Sequence, residues 1–132
     1  MPRTIRQRVS FRASPEALYG LYMSSRKHSA ATGGPAVLSR KVGSRFTAWG
    51  GQLRGKTIAL VPGRMIVQTW RGSDWKKHDA DSILILTFEK AAGGARVCLV
   101  HANVPDAHAA GITRGWHTYY WTPWRAYLRR SR

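Results

Sequence analysis

Alternating apolar and polar positions run along much of the chain and predict β-strands. In segment 5–12, Ile5, Gln7, Val9 and Phe11 alternate with arginines and Ser10, which is the period-two pattern of a half-buried strand. Six more strands are predicted between turns, at Val37–Lys41, Arg45–Trp49, Leu53–Val61, Met65–Arg71, Ile83–Glu89 and Arg96–Asn103. Gly55 interrupts one of them and indicates a bulge or a close backbone contact. Connections of hairpin length favour an antiparallel sheet of about seven strands.

Two short helices are predicted after the first strand. Ser14, Pro15 and Glu16 have the composition of a helix start, with an N-cap, a proline at the first position and an acid in the first turn. Apolar residues follow at helical spacing, so the first helix covers about Pro15 to Ser24. The segment from Ser24 to Pro35 predicts a second helix that stops at Gly33-Gly34-Pro35. Runs of strands bracketed by helices predict an α+β fold.

The C-terminal segment has the spacing of one aromatic helix face. Apolar residues recur at steps of three and four, at Ile112, Trp116, Tyr119, Tyr120, Trp124, Tyr127 and Leu128. Such a face needs a wide apolar surface, so we expect the sheet to curl around this helix. Pro123 predicts a kink near Thr122, between segments Ile112–Trp121 and Pro123–Arg130, and a loop over Val104–Ala110 leads into the helix.

The charge, the cysteine content and the hydropathy of the chain indicate which partners and which cellular compartment to expect. The chain has 132 residues, and its 22 Lys and Arg against 6 Asp and Glu give a net charge of +16, which favours polyanionic partners. A single cysteine, Cys98, excludes an internal disulfide, and no apolar run reaches the roughly 18 residues of a membrane span. The N-terminus lacks the apolar core of a signal peptide. We therefore expect one cytoplasmic domain over residues 1–132.

Several stretches along the chain, together with the order of the predicted elements, match a known family. These stretches are Phe11–Glu16 with Tyr19, His28–Gly33, Gly50–Gly55, Leu60–Gly63, Ile66–Arg71, His101 with Val104-Pro105, and Gly115-Trp116 with Tyr119-Tyr120, Pro123 and Tyr127-Leu128. In them the chain resembles the activators of the heat-shock-protein-ninety ATPase (AHSA-like domains), in the START-like or SRPBCC superfamily, and its order of elements is similar to the helix-grip fold of that superfamily. The resemblance implies a curved antiparallel sheet wrapped on a long C-terminal helix, with two short helices after the first strand.

The function that the resemblance implies is less specific than the fold. The superfamily includes lipid carriers, hormone binders, aromatases and cyclases, and a fold does not fix a function. The eukaryotic namesakes carry an extra N-terminal domain for engaging the chaperone, and we expect no such domain here. A chaperone partner is therefore the alternative expectation, and a small apolar or aromatic ligand is the first. A homodimer stays open.

A cavity between the sheet and the C-terminal helix is the first candidate site. If the alternation holds, its lining comprises Phe46, Leu60, Ile66, Gln68, Trp70, Leu84, Leu86, Leu99, His101, Trp116, Tyr120 and Trp124. Ligand pockets combine apolar and aromatic walls with a few polar groups, here Gln68, His101 and Tyr120. The bulky rings could instead fill the space and leave only a crevice.

Acid–base chemistry is the second candidate. His101 or Tyr120 would serve a cyclase- or aromatase-like enzyme, since imidazole titrates near neutrality. A histidine buried in the core and bonded to a neighbour is the favoured interpretation. The spacings of Asp106, His108 and His117 do not match metal-ligand motifs, so we expect no catalytic residue, metal or cofactor.

The outer face of the sheet is the third candidate. Arg6, Arg8 and Arg12 alternate outward on the first strand, as do Arg45, Arg54 and Arg96 on others. An ordinary solvated face in a protein with few acids is the favoured interpretation. Aromatic residues that could stack on bases are not interleaved with these arginines. The alternative is polyanion binding, which we expect to be weak, salt-sensitive and non-specific.

Overall fold

Six antiparallel strands form one sheet in the computed structural model, which describes residues 1–131. The strands are β1 Arg3–Phe11, β2 Arg45–Ala48, β3 Leu53–Val61, β4 Met65–Gly72, β5 Ser82–Ala91 and β6 Gly94–Val104. Their order across the sheet is β1-β6-β5-β4-β3-β2, so the first and last strands are neighbours. The predicted α+β class and antiparallel sheet are confirmed, with six strands instead of about seven.

The predicted strand Val37–Lys41 is reduced to a single bridge between Val37 and Thr47. The hydroxyl of Ser25 accepts a hydrogen bond from the Leu38 N–H at 2.8 Å and donates one to the Leu38 carbonyl at 3.0 Å. The backbone groups that a longer ladder would need are therefore already bonded to a helix side chain.

Two helices follow β1, as predicted. Helix α1 spans Pro15–Met23 and α2 spans Ser25–Thr32. The hydroxyl of Ser14 accepts from the Ala17 N–H and caps α1, and Ser24 caps α2 in the same way at Lys27. Helix α2 ends at Gly33, whose φ of 86° lies in the left-handed region that favours glycine.

The C-terminal helix begins earlier than predicted and is irregular in its middle. Helix α3 spans Asp106–Gly115, so most of the predicted loop Val104–Ala110 is helical. A π-helical segment, Trp116–Trp121, then leads without a break into α4, Thr122–Arg130. Thr122 has helical φ and ψ of −65° and −49°, so the backbone is continuous there, and the irregularity expected beside Pro123 is the π-helical segment that ends at Trp121. The wider π turn directly before Pro123 takes up the hydrogen-bonding irregularity that a proline brings to a helix.

The helices pack on one face of the sheet, which we call the inner face. Tyr19 of α1 contacts Phe88 of β5 edge to face, and Trp121 and Trp124 contact Phe11 of β1. The side chains that alternate with these on the strands form the outer face. Among residues 1–131, the helices lack the combined length and hydrophobicity that a transmembrane span requires.

Strands β3 and β4 approach closely at Gly55, where a Cβ would lie 1.9 Å from the Thr69 carbonyl oxygen. This is the close backbone contact that the sequence indicated. We expect Gly55→Ala to lower the free energy of unfolding by about 2 kcal/mol or more, since the backbone must shift to relieve the overlap. Chemical denaturation followed by circular dichroism measures the change.

Gly111→Ala in α3 is the matched control, because nothing lies within 4 Å of a Cβ at that position. It should raise the free energy of unfolding by about 0.5–1 kcal/mol, the usual gain of alanine over glycine in a helix. Equal effects of the two substitutions would contradict the tight approach of β3 and β4.

Candidate functional site

An aromatic pocket of about 280 Å³ lies where the C-terminal helix passes over the ends of β3 and β4. Its walls come from the 3-10 turn after β2, from two strands and from the helix. They comprise Trp49, Gln52, Leu53, Trp70, Gly111, Ile112, Gly115, Trp116, Tyr119 and Tyr120. Gln52, Gly111 and Tyr119 are exposed and mark its mouth. We call this cavity the edge pocket.

Trp49 forms one wall of the edge pocket in an unusual conformation. It opens the 3-10 turn Trp49–Gly51 with a positive φ of 54°, which a bulky residue rarely adopts. Its ring meets Tyr119 edge to face at 5.5 Å and lies against Gly34, where a Cβ would be 2.2 Å from the indole. The missing side chain of Gly34 therefore makes room for the tryptophan that walls the pocket.

The C-terminal helix contributes the opposite wall through its π segment. A π turn bonds residues five apart, which brings Trp116 and Trp121 to the same side of the helix. Their rings stack at 5.5 Å with an interplanar angle of 19°. The ring centroid of Trp116 also lies 4.7 Å from that of Tyr120 and 6.2 Å from that of Trp70 in β4. The π segment therefore concentrates aromatic rings between the sheet and the pocket.

Three of the twelve predicted cavity residues line the edge pocket, namely Trp70, Trp116 and Tyr120. The others do not line it, and all but the half-buried Leu60 are buried: they are Phe46, Leu60, Ile66, Gln68, Leu84, Leu86, Leu99, His101 and Trp124. The reason is steric, because the rings of Trp116, Trp121 and Trp124 fill the space between the C-terminal helix and the middle of the sheet. The space that remains is displaced to the edge of the sheet.

His101 is fully buried beside the pocket and is held by two neighbours. The Trp116 indole N–H donates to His101 Nδ1 at 3.2 Å, so the ring proton lies on Nε2. Nε2–H then donates to Ser82 Oγ at 2.8 Å, and Ser82 donates to the Trp70 carbonyl at 2.6 Å. Burial lowers the pKa of His101 to about 3. With both nitrogens engaged and the ring neutral, His101 is a structural histidine, which agrees with the favoured interpretation of the sequence.

A second buried polar chain links the helices to β4. His28 Nδ1 faces the Tyr22 carbonyl at 2.8 Å and must donate to it, so Nε2 accepts from the Tyr120 hydroxyl at 3.2 Å. The Tyr22 hydroxyl donates to Gln68 Oε1 at 2.8 Å. Burial lowers the pKa of His28 and raises that of Tyr120. The side-chain amide of Gln68 is therefore hydrogen-bonded within the core. Tyr120 lines the pocket, but its hydroxyl is bonded to His28.

The remaining polar candidates lie apart from the edge pocket. Asp106 pairs with Arg3 at 2.6 Å, His108 stacks on Trp75, and His117 is exposed. Cys98 points to the outer face and its thiol lies 3.7 Å from Glu89. Within residues 1–131, no group of three His, Cys, Asp or Glu side chains is placed to hold a metal ion.

Sequence reasoning missed several residues that build the site. The predicted strand Arg45–Trp49 ends at Trp49, although the Gly50-Gly51 pair after it signals a turn that could redirect the ring. Trp121 does not fit the α-helical spacing and joins the aromatic face only through the π turn. Trp75 lies between the predicted strands Met65–Arg71 and Ile83–Glu89, where no element is predicted, yet it is buried with its ring centroid 5.8 Å from that of Trp70.

Comparison with known proteins gives a family and a fold. The family model described as "Activator of Hsp90 ATPase homolog 1-like protein" matches residues 12–129. The human "Activator of 90 kDa heat shock protein ATPase homolog 1" is 31% identical over 111 residues, which is 84% of this chain and 32% of that protein. The chain thus spans about a third of the length of the curated relatives it matches.

Two solved structures show the same fold. An HSP90 activator from Plasmodium falciparum superposes with a TM-score of 0.82 at 20% identity, over 97% of this chain and 96% of that one. The Aha1 dimer from Colwellia psychrerythraea, solved in solution, has a TM-score of 0.77 at 17% identity, over 91% and 92%.

The lowered pKa of His101 predicts acid sensitivity. Between pH 6.5 and about 3 the unfolded chain binds a proton at His101 that the folded chain does not, so stability is lost as the pH falls through this window. The contribution from pH 7 to pH 5 is about 2 kcal/mol. His101→Gln keeps a donor and an acceptor without titrating, and should reduce the loss of unfolding free energy over this range by that amount.

Denaturant titrations at pH 7 and pH 5 measure the difference. Thr118→Gln on the exposed side of the helix introduces the same side chain without removing a titratable group, and as the control it should keep the wild-type pH dependence. A His101→Gln variant with the wild-type pH dependence would refute a neutral, buried His101.

Proposed function

This chain belongs to the family of Activator of Hsp90 ATPase homolog 1-like proteins, in the START-like superfamily, and on that premise we propose that it binds a small neutral aromatic ligand in the edge pocket. The observation that supports the proposal is the lining. Five of the ten lining residues are aromatic and none carries a charged side chain. Apolar and aromatic walls with a few polar groups are typical of small-molecule sites.

The size of the edge pocket limits the ligand. Its volume of 280 Å³ is just below the roughly 300 Å³ at which ordinary ligand pockets begin. An engineered cavity of about 150 Å³ accommodates benzene, so one or two fused rings fit here. The amide of Gln52 at the mouth supplies a polar group for a hydroxyl or amine on the ligand. The proposal is one of binding, since His101 has no free nitrogen for acid–base chemistry.

Filling the edge pocket should abolish binding. Gly115 lines it, and a Cβ there would meet the Tyr119 ring at 3.5 Å, an ordinary contact that a larger side chain can extend. We expect wild-type protein to bind 2-naphthol, a neutral two-ring phenol, at one saturable site, and Gly115→Leu to lose this binding. Isothermal titration calorimetry measures both.

Ala110→Leu is the matched control, because Ala110 is exposed on the same helix and does not line the pocket. It should bind 2-naphthol as the wild type does. Binding that survives in Gly115→Leu, or no binding of 2-naphthol or indole to the wild type, would refute the proposal.

A chaperone-cofactor role is the second candidate function. It is favoured by the 31% identity to the human activator of the 90 kDa heat shock protein ATPase over 84% of this chain. Because this chain spans only about a third of that relative, the activity of the whole relative is a proposal for the present chain. Under this proposal the domain contacts the chaperone through a surface, and the edge pocket is not required.

The two candidates differ in an ATPase assay. If the second is correct, adding the protein to a purified 90 kDa heat shock protein raises its rate of ATP hydrolysis, and Gly115→Leu does so equally well. Lysozyme, another small basic protein, is the control for charge alone. An unchanged rate with the wild-type protein would exclude the chaperone-cofactor role.

A further inference from the structure

The outer face of the sheet carries a row of apolar side chains at its centre. Val67 of β4 pairs with Ile85 of β5, Ile85 pairs with Val100 of β6, and all three point away from the helices. Ile83, Met65 and Cys98 lie beside this row on the same three strands. We call these six half-buried residues the outer apolar band. The described helices pack on the opposite face, so within residues 1–131 no helix covers the band.

Unpaired cations lie beside the outer apolar band on β1 and beyond it on β2 and β3. On one side, Arg6 of β1 is the direct partner of Val100, and Arg8 is the partner of Cys98. On the other side, the direct partners of Val67 and Met65 are the apolar residues Ala59 and Val61 of β3. The exposed cations Arg54 and Lys56 of β3 and Arg45 of β2 lie further along the same face. None of these five side chains forms a salt bridge within the described part of the chain.

The acids on this face are already engaged. Glu89 pairs with Arg96 at 3.3 Å, and Asp81 pairs with Arg71 at 3.2 Å. The band therefore lies in a field of uncompensated positive charge in a chain of net charge +16. A surface that covers it must bring apolar side chains against the band and negative charge against the cations of β1 and those of β2 and β3.

We propose that the outer apolar band and its flanking cations are the docking surface for an acidic protein surface, the one through which the domain would contact its chaperone. An apolar centre within a polar rim, with arginine enriched, is the usual composition of a protein–protein interface. Complementary charge at the rim speeds association and excludes wrong partners. This inference rests on the second candidate function and specifies the surface that serves it.

Other occupants fit the surface less well. A second copy would bring the same cations against one another, which is unfavourable for like charges. Nucleic acid would use the cations, but the band holds no aromatic ring on which a base could stack. A membrane surface is better served by large side chains that protrude, whereas the central residues here are β-branched and half-buried between strands.

Binding of a purified 90 kDa heat shock protein, followed by biolayer interferometry, tests the surface. Arg6→Glu/Arg8→Glu reverses the charge at one margin, and Val67→Thr/Val100→Thr makes the centre polar while keeping β-branched shapes. Each double variant should weaken binding by roughly tenfold or more. Circular dichroism and thermal melts confirm that each variant is folded as the wild type is.

Matched controls lie on other parts of the chain. Arg26→Glu/Lys27→Glu makes the same charge change on the exposed side of α2, and Val37→Thr/Val42→Thr alters two valines that are 64% and 57% exposed in the segment before β2. Both should bind as the wild type does. Duplex DNA, vesicles with anionic lipid and sedimentation of the protein alone complete the test.

The outcomes separate the surface from the function. Loss of chaperone binding in both outer-face variants, with both controls intact, supports the docking surface. Wild-type binding that all variants retain overturns the surface and leaves the chaperone role standing. If the wild type does not bind, the chaperone role fails and this inference fails with it. Variants that affect only DNA binding, vesicle binding or self-association assign the face to that occupant and overturn the proposal.

Discussion

The contact between Trp116 and the inner face of the sheet is the interaction on which the rest of the structure depends. Its indole N–H bonds to His101 at 3.2 Å and its ring contacts Trp70, Tyr120 and Trp121. The bond fixes the tautomer of His101, which in turn bonds to Ser82 of β5. One side chain thereby joins the helix to two strands and also walls the edge pocket. A polar contact in this dry environment is costly to break, because either partner would be left buried and unsatisfied.

The same contact explains where space remains. A helix with tryptophans at positions 116, 121 and 124 fills the middle of the curved sheet, and the π turn directs Trp116 and Trp121 to the same side. Voids large enough for a ligand are rare in close-packed cores, and here the space lies at the sheet edge, where the turn Trp49–Gly51 replaces a regular strand. The inner face thus packs against the helices and contributes to the edge pocket. Within residues 1–131 no helix covers the outer face, which carries the basic side chains.

The sequence predicted the architecture because its signals are local. Alternation, glycine and proline turns and the Ser14 cap each act within a few residues, and together they specify the strands, α1 and α2. The features that the sequence did not predict do not follow from these local patterns: the Ser25 hydroxyl bonds to the backbone groups of Leu38, and the π turn brings Trp121 onto the aromatic face. The candidate site shows the same limit. Alternation indicates that His101 and Gln68 lie on the inner face. It does not indicate that the polar groups of both are hydrogen-bonded to neighbours in the core, because those neighbours are distant in sequence.

The aromatic helix fills the space beneath the middle of the sheet, and a pocket between this helix and the sheet lies at the sheet edge. A crystal structure from crystals grown with 2-naphthol tests this arrangement directly. We expect ring-shaped density between Trp49, Trp70, Trp116 and Tyr119, with the His101–Trp116 hydrogen bond intact. Density at the centre of the sheet, beside Gln68 and Leu84 with the tryptophans displaced, would contradict it.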